Sequence, residues 1–226
     1  MTFRLFGANV SPFVRKVRVV MAEKGLDYEL VPVNPMQPTE EFLSLSPLGK
    51  IPVLQHTSEQ GEVVVPDSSI ICDYLERLHP EPSLVPRSPS ERARILWLEE
   101  HVDGGLIPKL APAVFRGIVI AQLMGNEPDI EEANRALRED APPLLDYYER
   151  ELEGGDFFMG ENVTVADIAV ASPFVNLAHA GATVPAGRWP RLASFLERMH
   201  ARPSFAACLA EEGAFHRPVE LDWGVS

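Results

Sequence analysis

Two cysteines in 226 residues, Cys72 and Cys208, are too few for a disulfide framework. Both fall in helical patterns, where a thiol packs as a small hydrophobe. Positive charge is scarce as well: 20 Lys and Arg stand against 33 Asp and Glu, a net charge of −13. A nucleic-acid surface needs a basic stripe, so that class of partner is excluded. The imbalance is uneven, with 7 basic and 10 acidic residues over 1–80 and 13 against 23 over 81–226. A solvated acidic face accounts for most of it. An anionic ligand would have to be held by local dipoles and a few cations, not by the overall field. No apolar run approaches the roughly eighteen residues needed to span a bilayer. Arg4 and Asn9 interrupt the segment where a signal peptide has its apolar core. A cytoplasmic location with no membrane partner is therefore expected. Asn162-Val163-Thr164 matches a glycosylation acceptor, which means little without a secretory signal.

What is present divides into two halves. Residues 2–6 alternate as a strand. Residues 12–25 follow as a helix, with Pro12 in its first turn, a stripe of Val14, Val17, Val20 and Met21, and Gly25 at its end. Residues 28–33 read as a strand with an edge or interrupted ladder at Pro32. A short helix spans residues 39–45. Strands at 52–55 and 62–65 lead into a helix over 67–79, with Ile70, Ile71, Tyr74, Leu75 and Leu78 inward. The order βαβ, helix, ββα predicts a four-stranded mixed α/β domain over 1–80. Residues 80–90 hold four prolines and three serines, placing a linker at 81–89. Residues 90–226 read as all helix. A long helix over 90–123 must bend or break at Gly104, Gly105, Pro108 and Pro112. A second over 129–152 should kink or restart at Pro142-Pro143, and three more fall at 164–179, 189–201 and 203–211. Thr164 and Asp167 form a capping box, with Val163 and Ile168 placed for a hydrophobic staple. There is no internal repeat.

Three short signals carry chemistry. Ser11 sits where the first strand gives way to a helix. There its hydroxyl, the free N–H groups and the positive end of the helix dipole meet at one spot. A thiolate at that spot would be stabilised; a plain helix cap needs the same residues. Asn9 is a second donor nearby. Ile51-Pro52 precedes a strand, and a cis bond there would turn the Ile51 N–H and C=O outward for strand-like pairing with a short peptide. Lys50, one of four lysines, can meet a carboxylate or stand free in solvent. Asp67-Ser68 opens the third helix. Its N–H groups and the Ser68 hydroxyl suit a carboxylate, and Asp67 suits an ammonium, although simple capping explains the pair equally well.

These features in this order resemble the glutathione transferase family over nearly the whole chain. The matching stretches are SPFVRKV at 11–17, GKIPVL at 49–54, PDSSIICDYL at 66–75, GENVTVADIAVA at 160–171 and WPRLASFLERMHARPS at 189–204. The resemblance implies a thioredoxin-like N-terminal domain, an all-helical C-terminal domain, and glutathione as co-substrate with no metal. It makes Ser11 the thiol activator, pairs Ile51 before the cis Pro52 with the cysteinyl unit, and gives Asp67 and Ser68 the γ-glutamyl end. Lys50 resembles the lysine that some serine-type members aim at the glycyl carboxylate. Phe6 and Gly7 exclude a tyrosine type, and Ser11 with Val14 excludes a C-x-x-C redox pair. The longer serine-cysteine signature of the maleylacetoacetate isomerase branch is absent. A small apolar electrophile is expected in the cleft between the domains, with Phe13, Ile107, Leu110 and Phe115 as candidate walls. Asp103 resembles a residue that reaches the glutathione ammonium across a dimer interface, so a homodimer is implied. Transfer to an electrophile is the leading expectation. Glutathione-dependent peroxide reduction, isomerisation or dehalogenation, or a non-catalytic scaffold, are the alternatives.

Overall fold

A computed structural model describes residues 2–212, 217 and 219–224. The chain forms two compact units, Met1–Val85 with Pro203–Glu212, and Pro86–Arg202 with Gly213–Ser226. The first is built on a four-stranded sheet of order β2-β1-β3-β4. β1 (Thr2–Gly7) and β2 (Glu29–Pro32) are parallel, joined by the crossover helix α1 (Pro12–Glu23). β3 (Val53–Ser58) runs antiparallel to β1, and β4 (Gly61–Pro66) antiparallel to β3. Pro32 lies on an edge strand, where a missing N–H costs no ladder bond. α2 (Glu40–Leu45) is capped by Thr39, and α3 (Ser68–Leu78) follows β4 directly.

The α1 stripe is buried as its spacing predicts: Val14, Val17, Val20 and Met21 are all at most 1% exposed. They share a core with Leu5, Leu54, Ile71 and Leu75. Ile70 departs from expectation and faces solvent. Ile71 and Leu75, four residues apart, form the inward row of α3, and Ile70 is rotated about 100° from that row. On another part of the sheet, Phe6, Phe42 and Val53 make a smaller cluster, against which Ile51 packs.

α1 buries its cations too. Arg15, Lys16 and Arg18 are each at most 3% exposed. The partner of two of them is a helix expected in the C-terminal domain. α8 (Pro203–Glu212) packs on α1 and belongs to the first unit. Arg15 donates from Nε to Glu212 Oε1 at 2.7 Å and from Nη2 to Oε2 at 2.6 Å, with both side chains fully buried. Arg18 pairs with Glu211 and donates to the Tyr28 hydroxyl. At the other end of α1, Lys24 pairs with Glu76 at 2.6 Å and donates to the His79 and Pro82 carbonyls. Helical periodicity defines α8, but only its long-range contacts, these ion pairs and the buried Phe205 and Cys208 among them, assign it to a unit.

In the second unit, α4 (Pro89–Leu123) is one continuous helix of 35 residues. It survives its glycines and prolines by widening: Val102–Leu106 and Ala111–Ile120 are π-helical. Proline cannot donate to the i−4 carbonyl, and a wider turn relieves that mismatch without a break. α5, over residues 130–151, does the same, with a π turn at Ala136–Asp140 just before Pro142-Pro143. An 18-residue window of α4 has mean hydropathy 1.4, long and apolar enough by composition to cross a membrane. This corrects the expectation from unbroken apolar runs, because such a window tolerates two charges. Here Leu106, Leu110, Val114 and Ile118 are buried in the helical unit.

α6 (Val165–Ala180) is buried along most of its length. Its capping box is present: Asp167 accepts at Oδ2 from the Thr164 N–H and hydroxyl, both at 2.7 Å, and at Oδ1 from the Phe158 N–H. Burial pushes the Asp167 carboxyl up, against the pull of these donors. Gly181 ends α6 at φ 99°, and a Cβ there would stand 2.1 Å from the Val219 carbonyl oxygen, so both conformation and space demand glycine. α7 (Pro190–Ala201) completes the unit. Cys72 and Cys208 are both buried.

Candidate functional site

Sheet register gathers the three signals. Phe6 near the end of β1 pairs with Val53 at the start of β3, and Val53 pairs with Pro66 at the end of β4. These residues form one row across the sheet. The segments just beyond it carry Ser11 after β1, Ile51-Pro52 before β3 and Asp67-Ser68 after β4. All three therefore emerge from the same end of the same sheet. The Asp67 N–H donates to the Pro52 carbonyl at 3.3 Å, which ties two of the segments directly.

Ser11 is half-buried and caps α1 with extended backbone angles, φ −73° and ψ 126°. Its Oγ accepts from the Val14 N–H at 3.4 Å. That bond uses a lone pair and leaves the hydroxyl proton to donate outward. Gly7 sets how closely the strand approaches the helix: a Cβ there would lie 2.4 Å from Val14 Cγ2. Asn9 and Phe13, on either side of the cap, are half-buried.

The Ile51–Pro52 peptide bond is cis. Ile51 is half-buried, and among the described residues nothing pairs with its N–H or C=O. Lys50 is exposed, its carbonyl held by the Ser46 hydroxyl at 2.8 Å. Asp67 takes φ 82°, a value that costs a non-glycine residue about 1–3 kcal/mol. Its Oδ1 accepts from the Ser69 N–H at 2.9 Å and the Ile70 N–H at 3.3 Å. The exposed side chain keeps Oδ2 as a further acceptor. Ser68 is 3% exposed at the first position of α3, where the backbone N–H points out of the helix.

Lys16 was not singled out from sequence. It is buried beneath this corner and donates from Nζ to Ser69 Oγ at 3.1 Å. A lysine inside an apolar helix of a lysine-poor chain was the available signal.

The remaining candidates lie in the helical unit. Asp103 is half-buried in the first π turn of α4, one position beyond Val102. Ile107 is half-buried, whereas Leu110 and Phe115 are core side chains of that unit. A cavity of about 430 Å³ opens elsewhere in the unit, walled by Arg94, Arg150, Glu151, Phe157 and Phe158. Its Arg94 is already paired with Glu151 at 3.1 Å, and it contains none of the expected site residues.

The glutathione S-transferase N-terminal domain family matches residues 5–83, and the glutathione S-transferase C-terminal domain family matches residues 117–212. The GST-like protein YibF of Escherichia coli K12 is 31% identical over 207 residues, 90% of this chain and 96% of that protein. The chain belongs to the glutathione S-transferase superfamily. Glutathione S-transferase 3 of Zea mays is 30% identical over 92% of this chain and 93% of its own length. The crystal structure of a glutathione S-transferase from Rhodospirillum rubrum F11 superposes with a TM-score of 0.85 at 30% identity, covering 96% of both chains. The four-stranded mixed sheet with its helices is the thioredoxin-like domain of this superfamily, and the helical unit is its C-terminal domain. Membership supports glutathione-dependent transferase or related activity.

Proposed function

We propose that this protein is a glutathione transferase that binds glutathione at the shared end of the sheet and activates its thiol with Ser11. The observation that carries the reading is the convergence there of three segments with uncommitted hydrogen-bonding groups. The Ile51 N–H and C=O would pair with the cysteinyl backbone, extending the sheet in strand fashion. Asp67 Oδ2 would take the γ-glutamyl ammonium, and the Ser68 N–H and hydroxyl its carboxylate. Lys50, exposed and close in sequence to Ile51, would meet the glycyl carboxylate.

The cysteinyl sulfur then faces the N-terminus of α1. The Ser11 hydroxyl donates to it, Asn9 supplies a second donor, and the helix dipole favours its negative charge. A free thiol has a pKa of about 8.5, so only about 3% is ionised at pH 7. Lowering that by one to two units raises the thiolate to roughly 25–75%. The thiolate attacks an electrophilic carbon and forms the carbon–sulfur bond. The displaced group leaves with its electron pair, or an added-to double bond takes up a proton. Phe13, next to the cap, supplies an apolar wall for a small hydrophobic electrophile.

The test is a glutathione titration followed by ultraviolet thiolate absorbance, with Ser11→Ala alongside. Thiolate near neutral pH in the wild type, lost in the variant while glutathione still binds, supports the assignment. Glutathione bound without thiolate formation refutes it and leaves a binding scaffold on the same fold. Thiolate retained in Ser11→Ala moves the role to Asn9.

A further inference from the structure

The loop that follows β2 leaves the sheet at the same end as Ser11. Gly7 pairs with Pro32 across the parallel β1–β2 ladder, and the next N–H, that of Val33, donates to the Gly7 carbonyl at 3.0 Å. Neighbouring strands lie about 4.8 Å apart, so the two chain segments depart side by side. Each then turns at once. The Ser11 N–H returns to the Ala8 carbonyl at 3.0 Å, and the Gln37 N–H to the Asn34 carbonyl at 3.1 Å. Turns of this kind keep their first and fourth Cα atoms within about 7 Å, so neither Ser11 nor Met36 strays far from the end of the sheet. On its other side the loop is tied to the cis-proline segment, because Val33 and Ile51 pack on the same cluster of Phe6, Phe42 and Val53.

Met36 is the third residue of that turn and is 62% exposed. Asn34 Oδ1 accepts from its N–H at 3.0 Å, and Pro35 and Pro38 restrict the backbone on either side. A backbone held in this way presents an apolar side chain with little further ordering cost when a ligand packs on it. The geometry points to Met36 as a specificity-determining residue that packs on the apolar group bonded to the glutathione sulfur. This rests on the reading that the cysteinyl unit pairs with Ile51 and its sulfur faces Ser11. The Met36 loop is anchored beside both positions, and its thioether chain adds an apolar contact to that of Phe13. A methionine chain is unbranched and polarizable, so it adapts to linear and aromatic groups alike. The site therefore tolerates varied shapes and discriminates by apolar area.

The test measures binding by calorimetry for four probes: glutathione and its S-methyl, S-hexyl and S-benzyl derivatives. Wild type, Met36→Ser and Met36→Leu are compared. Met36→Ser should weaken the S-hexyl and S-benzyl derivatives about threefold to tenfold, the range for removing part of a methionine side chain from an apolar contact. Glutathione and its S-methyl derivative should change by less than about twofold, because they offer that side chain little apolar area. Met36→Leu should restore the affinity for both larger derivatives. The side chain is mostly exposed, so both variants should melt with the wild type. Unchanged S-hexyl and S-benzyl affinities in Met36→Ser, or equal losses for all four probes, overturn the inference and leave the glutathione reading standing. A wild type that binds none of the four overturns both together.

Discussion

Glu212→Ala should unfold this protein far more readily than a substitution near a chain end normally does. The Glu212 and Arg15 side chains are both 0% exposed, and two parallel hydrogen bonds of 2.7 and 2.6 Å join them. Removing one partner of such a pair strands the other charge in a low-dielectric interior, at a cost of about 3–5 kcal/mol. For a chain of this size, each kcal/mol moves the melting temperature by about 2–4 °C, so the shift should be roughly 6–20 °C. Replacing both residues by apolar ones, Arg15→Met with Glu212→Leu, should recover most of that loss, because a buried ion pair and a packed apolar pair are of similar worth. Thermal melts and urea titrations on wild type, both single variants and the double variant complete the cycle. The two units can melt separately, so near-ultraviolet and far-ultraviolet signals should be followed together. A Glu212→Ala variant within about 1 kcal/mol of wild type would refute the argument, since the pair would then carry no buried charge cost. The consequence reaches the site, because α8 braces α1 and α1 carries Ser11 at its first turn.

Other expectations follow from the same geometry. Thr164→Ala should cost about 1–2 kcal/mol by removing a donor to the buried Asp167 carboxylate, with glutathione affinity unchanged; melting and calorimetry check the two halves. Burial lowers the His56 imidazole below its ordinary value, helped by the N-terminal amine and His79, and burial alone lowers His101. Each is then neutral when folded and binds a proton more readily when unfolded. Their contribution is present above about pH 6.5 and is lost as pH falls through the window down to the folded values. Urea titrations from pH 7.5 to 5 should show falling stability, and NMR titration of the two rings should give midpoints below those of a free histidine.

Much of the site was legible because its signals are local. A serine before a proline at a strand–helix junction, an X-Pro before a strand and an Asp-Ser opening a helix each follow from backbone chemistry within a few residues. The Thr164–Asp167 box is legible for the same reason, since both partners lie on one turn. The burial of Lys16 was missed because its partner Ser69 lies 53 positions away. Ile70 was misplaced because an apolar pair at adjacent positions cannot both face one core, and the sequence does not say which one turns outward.

The order of strands and helices, the caps and the three junctions at Ser11, Ile51 and Asp67 were determined by the sequence, through periodicity and the hydrogen-bonding habits of individual residues. Tertiary structure alone decided the rest. The antiparallel register of β3 against β1 and β4 brings the junctions to one end of the sheet. Buried ion pairs and apolar side chains hold α8 on α1, and burial sets Lys16 against Ser69 of α3 instead of in solvent. The physical reason is range: a cap or a turn is satisfied by its neighbours, whereas a buried charge is satisfied only by whatever the fold places against it.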